Sequence, residues 1–318
     1  MPEMCTERSG TMVVMRPVVG VPSTRSEPFA TSVNPERPPA GDFSAGGRVF
    51  SGDEPVRLSI LVPAYNEERT AAHVVSGLLA ADFPCPVEVI AVDDGSTDET
   101  ARRLADIDDP RLTVLRHPRN LGKGAALMSA VAVATGTHVL PFDADHEYSP
   151  TDIPRLLEPV LADRCDIVYG TRLFGVNTVY QSYRYALGNR LLTLAANVLF
   201  DSSVSDLHTC FKLVPLSLVR QLDLSETGFG LDTELTARLL RLGLRPFEVP
   251  ISYHSRSHAQ GKKIDWRDGV ACLRILARVR VAPRPVVTAH RYPESVVDLP
   301  VRGGRHDKDV VRAVRVTG

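Results

Sequence analysis

The feature that most constrains the fold is an alternation between Leu58 and Phe142 of short apolar runs with segments of helical period. Leu58–Pro63, Val87–Val92, Leu112–Leu115 and His138–Phe142 read as strands, each too short and too continuously apolar for a surface helix. Between them, Glu67–Leu79, Thr97–Ile107 and Lys123–Ala134 carry helical spacing, with Ser96 and Thr97 as candidate caps for the second helix. Strands and helices alternating through short connections predict an α/β fold, a mostly parallel sheet flanked by helices. The pattern continues with a helix over 151–161, a strand over 166–169, a helix over 183–200, a helix over 231–242 and a strand over 245–251. A single domain is expected over residues 56–280. Residues 1–55, rich in Pro, Ser, Arg and Gly, read as a disordered leader, and 281–318 as a basic extended tail.

A formal net charge of -1 supplies no global field for nucleic acid, so no nucleic-acid partner is expected. The five cysteines are scattered and odd in number, which fits reduced thiols in a cytoplasmic protein; Cys165 and Cys210 read as small buried residues. No run approaches the roughly 18 to 20 apolar residues of a membrane span. The helix over 183–200 has a broad apolar face and reads as core. Its Arg184 and Arg190 keep a second role open, resting peripherally at the inner face of a membrane.

Each early strand ends in a polar signature. After the first come Pro63-Ala64-Tyr65-Asn66-Glu67, where a ring can cover a base and a carboxylate can accept from base or ribose. After the second come Asp93-Asp94-Gly95-Ser96, and before the third helix Asn120-Leu121-Gly122-Lys123-Gly124, whose glycines permit close backbone approach and whose lysine can meet a phosphate. The fourth strand runs into Asp143-Ala144-Asp145-His146-Glu147. Asp143, Asp145 and Glu147 are spaced by two, so an extended segment points all three to one side, and oxygen-only ligands favour Mg²⁺ or Mn²⁺ over zinc. Any one of these signatures is ordinary turn chemistry; four at successive strand ends are not.

In this order the four motifs resemble those of family 2 glycosyltransferases with the GT-A fold, the Rossmann-like nucleotide-diphospho-sugar transferase architecture. Within that family the chain is most similar to the dolichyl-phosphate mannose synthase-like branch, which makes polyprenyl-phosphate sugars. The similarity runs over about residues 57–280 and extends to Gly170-Thr171-Arg172, Asp206–Lys212, Gly228–Glu234, and Tyr253 to Lys263. It implies inverting transfer of a hexose from a nucleotide-diphosphate donor of the GDP-mannose or UDP-glucose type. Pro63, Tyr65, Glu67, Asp93 and Asp94 would then hold the nucleoside, with Lys123, Gly124, Asp143 and Ala144 completing the donor site. Asp143, Asp145 and Glu147 would carry Mg²⁺ or Mn²⁺, Asp145 with a catalytic part. Arg172 and Arg256 would receive the acceptor phosphate, with Arg184 and Lys262 as further contacts.

The choice of acceptor is chemical. A phosphate monoester is already an anion near neutral pH and needs no strong base, whereas a hydroxyl or amine acceptor needs one. Asp232 lies where relatives that use hydroxyls place their base, and it is equally placed to open the helix that follows. A soluble glycosyltransferase acting on a small-molecule or carrier-bound acceptor is therefore the alternative. A nucleotidyltransferase is disfavoured because Tyr65-Asn66-Glu67 stands where a basic, Gly-rich phosphate loop would follow the first strand.

Overall fold

The computed structural model describes residues 54–173, 178–179, 183–254, 266–285, 287 and 312–314. Residues 1–53 of the expected leader, Arg256 and Lys262 lie outside these residues, and so does the side chain of Arg184. In chain order the elements are β1 (Leu58–Ala64), α1 (Ala71–Ala80), β2 (Val87–Asp93), α2 (Thr100–Ala105), β3 (Leu112–Arg116), α3 (Lys123–Val133) and β4 (His138–Pro141). A 3-10 turn (Pro150–Asp152) then leads into α4 (Ile153–Leu161), followed by β5 (Val168–Thr171), β6 (Thr178–Val179), α5 (Tyr183–Phe200), β7 (Lys212–Pro215) and α6 (Leu216–Gln221). The last elements are α7 (Leu231–Arg241), β8 (Phe247–Pro250), β9 (Tyr253–His254), α8 (Trp266–Val281) and β10 (Arg312–Val314).

The main sheet runs β10-β3-β2-β1-β4-β7-β5-β8, with β6 and β9 forming a separate parallel pair. The β3-β2-β1-β4 run is parallel, while β7 lies antiparallel between β4 and β5. Successive side chains of β1 feed opposite faces: Leu58, Ile60 and Val62 join one cluster with Val74, Val75 and Leu156, and Leu61 joins the other with Leu127, Leu218 and Leu235. Helices α1 and α4 therefore cover one face, and α3, α6 and α7 the other. A third cluster joins α5, α7 and α8.

The chain leaves β1 for β2 on one side and returns to β4 on the other. The crevice beyond the carboxyl ends of β1 and β4 is thus a topological switch point, where open α/β sheets bind ligands. Both the Pro63–Glu67 and the Asp143–Glu147 segments emerge there.

Several expectations are corrected. Ser96 and Thr97 do not cap α2: the Asp98 carboxylate accepts the Thr100 N–H at 3.0 Å, while Ser96 Oγ accepts the Asn66 N–H at 2.9 Å. The helix over 183–200 is core on one side only, since Leu191 and Leu194 on its outer side are 57% and 58% exposed. Arg312–Val314, expected as extended tail, pair antiparallel with β3. Cys210 is buried as expected, but Cys165 is only partly so.

Candidate active site

The loops after β1 and β2 are stitched to each other. Asn66, at φ 54°, accepts the Thr97 N–H on Oδ1 at 2.9 Å, and the Glu67 N–H donates to Thr100 Oγ1 at 2.9 Å. Pro63, Tyr65 and Glu67 are half-buried at this edge.

The two aspartates after β2 do different work. Asp93 accepts the Ser96 N–H on Oδ1; its Oδ2 is buried 3.1 Å from Arg116 Nε, in ion-pair range but with no hydrogen-bond donor directed at it. Asp94, expected to hold the nucleoside, is instead committed to protein. Its carboxylate accepts the N–H groups of Leu121 and Gly122 at 2.9 and 2.8 Å and the His117 ring at 2.7 Å. It anchors the segment that carries Lys123.

The glycines of that segment permit close approach, but of the chain's own backbone. A Cβ on Gly122, at φ 100°, would stand 2.5 Å from the Thr227 carbonyl oxygen, and one on Gly124 would stand 2.5 Å from that of Glu226. The Thr227 carbonyl also accepts the Ala125 N–H at 2.9 Å, tying the start of α3 to the start of the α7 region. Gly122→Ala is expected to cost about 2 kcal/mol, because it adds this clash to a backbone conformation reserved for glycine. A melting temperature equal to the parent's would contradict that packing.

Lys123 crosses the crevice to Asp143, with Nζ 2.7 Å from Oδ1, and lies 3.8 Å from Asp232 Oδ2 and 3.9 Å from Cys210 Sγ. Burial works against its charge, but Asp143, Cys210 and Asp232 together hold its pKa well above the usual lysine value. Asp232 in turn receives the fully buried Lys212 at 3.2 Å, whose ammonium also donates to the carbonyls of Leu207 and Thr209 at 3.0 and 2.7 Å. Burial would raise the Asp232 carboxyl, yet Lys212 and Lys123 outweigh it and depress its pKa. Carboxylate and ammonium thus alternate along the crevice floor. Asp232 sits in the first turn of α7, but its side chain is spent on the lysines and makes no cap.

On the other flank, Arg172 forks onto Asp206, with Nε to Oδ2 at 2.6 Å and NH2 to Oδ1 at 2.8 Å, and its guanidinium lies 4.8 Å from the Tyr253 ring centre. Asp206 is fully buried and also accepts from Asn189 of α5 at 2.8 Å. Burial raises its pKa, but Arg172 and Asn189 reverse that and hold it at about 2. Between the flanks, Tyr148 stacks on Phe211 and tilts against Tyr253, and its hydroxyl accepts the Cys210 N–H at 3.0 Å.

Asp143 and Asp145 stand beyond β4 beside buried Ala144, and one oxygen of the expected third ligand, Glu147, is taken by protein. The Tyr253 hydroxyl donates to Glu147 Oε2 at 2.5 Å, and the Glu147 N–H donates to Asp145 Oδ1 at 3.1 Å. Among the described residues no three His, Cys, Asp or Glu groups converge as a metal cluster. Two carboxylates still fit Mg²⁺ or Mn²⁺, since such ions take one or two from the protein and complete their shell with substrate phosphates and water. That Asp143 already faces an ammonium shows the position suits a cation.

Asp206, Lys212, Tyr148 and Tyr253 carry no role in the sequence reading, although three of them lie in its motifs. The available signal was a charged residue, Lys212, opening the apolar run Lys212–Pro215 that becomes β7.

Residues 59–223, more than half of the chain, match the family model described as glycosyl transferase family 2. The chain belongs to glycosyltransferase family 2. It is therefore a nucleotide-sugar-using glycosyltransferase, and its sheet and helices are the GT-A fold. Its relatives include Glycosyltransferase AglJ of Haloferax volcanii, 29% identical over 217 residues, covering 68% of this chain and 69% of AglJ. The low-salt glycan biosynthesis hexosyltransferase Agl6 of the same organism is 29% identical over 247 residues, covering 74% of this chain but 59% of Agl6. AglD is 30% identical over 267 residues, and the chain spans 40% of its length. Among solved structures, glucosyl-3-phosphoglycerate synthase from Mycobacterium tuberculosis in complex with Mn²⁺, UDP-glucose and phosphoglyceric acid superposes with a TM-score of 0.54. The identity is 23%, over 72% of this chain and 81% of that one, a likeness of fold. These relatives do not single out the dolichyl-phosphate mannose synthase-like branch.

Proposed function

We propose that this glycosyltransferase moves a hexose, with inversion, from a GDP-mannose- or UDP-glucose-type donor to the phosphate of a polyprenyl or dolichyl phosphate, using Mg²⁺ or Mn²⁺. The observation that carries the acceptor class is the clamp on Asp232. Paired with Lys212 at 3.2 Å and facing Lys123 at 3.8 Å, it is held ionised with a depressed pKa, which makes it a poor proton acceptor. A phosphate nucleophile is already ionised and asks for no base.

On this reading Asp143 and Asp145 hold the cation, whose chemistry when bound is to neutralise charge growing on the leaving diphosphate. Lys123 supplies a second positive charge from the crevice floor. Pro63, Tyr65 and Glu67 line the nucleoside end. Arg172, held by Asp206, orients the acceptor phosphate; a guanidinium carries five donors, so one fork does not exhaust it. Arg256 and Lys262 are assigned to the same acceptor end from their motif positions, and Arg184 from the family resemblance. The acceptor class assigns the protein to the cytoplasm, working at the inner face of a membrane.

A second reading, transfer to a hydroxyl or amine of a soluble acceptor with Asp232 as base, draws on one observation: the fold is similar to a synthase crystallised with phosphoglyceric acid. Nucleotide release from UDP- and GDP-sugars with Mn²⁺, measured with a short polyprenyl phosphate and with soluble acceptors, identifies the donor and tests the class. Arg172→Lys keeps the charge opposite Asp206 but loses the fork, and should cost roughly ten- to hundredfold in transfer at saturating donor. Asp232→Asn, compared per folded molecule because it leaves the buried Lys212 without its carboxylate, should then cost less in transfer than Arg172→Lys. A dead Asp232→Asn beside a near-normal Arg172→Lys, with no sugar partitioning into the organic phase, would replace the lipid phosphate by the soluble acceptor.

A further inference from the structure

The inner side of α5 is tied to the site: Asn189 reaches Asp206 at 2.8 Å, Thr193 Oγ1 accepts the Leu207 N–H at 3.1 Å, and Ala196 is fully buried. Its outer side is apolar and, among the described residues, uncovered. Tyr183, Leu187, Leu191, Leu194 and Val198, spaced by four, four, three and four, are 74%, 40%, 57%, 58% and 74% exposed. Single exposed hydrophobics are normal, but a stripe running the length of an 18-residue helix is not. Helix α8 packs beside α5, burying Cys272, Ile275, Leu276 and Val279 while exposing Val270, Leu273 and Val281. Both helices thus present exposed apolar residues.

The charge on the two helices is mostly positive. Helix α5 contains Arg184 and Arg190 and no acidic residue; α8 contains Arg267, Arg274, Arg278 and Arg280 against Asp268 alone. Arg278 is engaged by Glu226 at 2.7 Å and Arg280 by the Leu199 carbonyl at 2.9 Å, while Arg190 and Arg274 are exposed. We infer that the outer faces of α5 and α8 dock this protein on an anionic lipid surface, the leucines and valines entering the acyl boundary and the arginines meeting the headgroups. A second copy of this chain is a poor occupant, because a two-fold contact sets the same arginines against each other. Docking through α5 sets the Asn189–Asp206–Arg172 line next to the lipid, so the inference deepens the acceptor reading above and rests on it for its purpose.

The test is flotation of the full chain with vesicles of phosphatidylcholine, alone or mixed with phosphatidylglycerol. The protein should float with the anionic vesicles and far less with the neutral ones. Leu191→Asp/Leu194→Asp should weaken that binding roughly tenfold or more, and so should Leu273→Asp on α8, with unchanged circular dichroism. Arg190→Glu/Arg274→Glu should weaken it and flatten its dependence on salt. Absence of binding to anionic vesicles, or undiminished binding by both aspartate variants, would overturn the inference. So would a dimer of the parent chain that Leu191→Asp/Leu194→Asp splits to monomers without any vesicle binding. Binding is scored without donor or acceptor, so it succeeds or fails independently of which acceptor the enzyme glycosylates.

Discussion

Asp206→Ala is expected to destabilise the protein by about 3–5 kcal/mol, the cost of breaking a buried ion pair from one side. Asp206 is fully buried, its two oxygens accept the Arg172 fork at 2.6 and 2.8 Å, and Oδ1 also takes Asn189 at 2.8 Å. Removing it strands a guanidinium that is only 11% exposed and already spends its ring contact on Tyr253. The same pair sets a pH dependence. Against the usual unfolded aspartate value of about 3.9, the Asp206 carboxyl is depressed in the folded protein to about 2. Its contribution is therefore complete above the unfolded value and disappears as pH falls toward about 2. Urea unfolding of Asp206→Ala and parent from neutral pH downward checks both points. A loss under about 1 kcal/mol, or a difference between the two that does not shrink on acidification, would show that Arg172 finds compensation elsewhere.

Asp145→Asn is expected to reduce transfer by at least about a hundredfold while leaving the melting curve unmoved. The fold should not notice, because the side chain is half-buried in the loop beyond β4 and accepts the Glu147 N–H at 3.1 Å, which an amide oxygen can do equally well. The chemistry should notice, because a charged oxygen is lost from a site whose other carboxylate, Asp143, is shared with Lys123 at 2.7 Å. Calorimetric titration with Mn²⁺ and nucleoside diphosphate gives a readout apart from turnover: the parent should bind the pair more tightly than either alone, and Asp145→Asn should lose that enhancement. Turnover indifferent to chelator, or an active Asp145→Asn, would remove the metal from the mechanism.

Local pattern and tertiary context each governed different parts of this molecule. Amino-acid order alone determined the β-α alternation from Leu58 to Phe142, because burial on both sheet faces demands continuous apolar runs and a covering helix demands 3.6-residue spacing. It also marked the candidate site, because polar residues at successive strand ends have little use in a core. Helix α8 and strand β7 were not legible. β7 is four residues long and is a strand only because it pairs antiparallel with β4 and β5, partners distant in the chain. The roles of individual polar groups were decided later still, by long-range contact. Asp94 and Glu147 look like ligands in a linear motif, yet Asp94 is claimed by the backbone of Leu121 and Gly122 and Glu147 by the hydroxyl of Tyr253. The glycines at 122 and 124 signal close approach, and only the fold reveals that what approaches is the backbone of residues 226 and 227. Asp232 could be base or cap from sequence; its neutral-pH chemistry depends on two lysines, 20 and 109 residues away, that tertiary structure brings to its carboxylate. Periodicity is a local property and can be read in order along the chain, whereas the charge state and partner of a carboxylate are set by whatever folding places within a few ångströms of it.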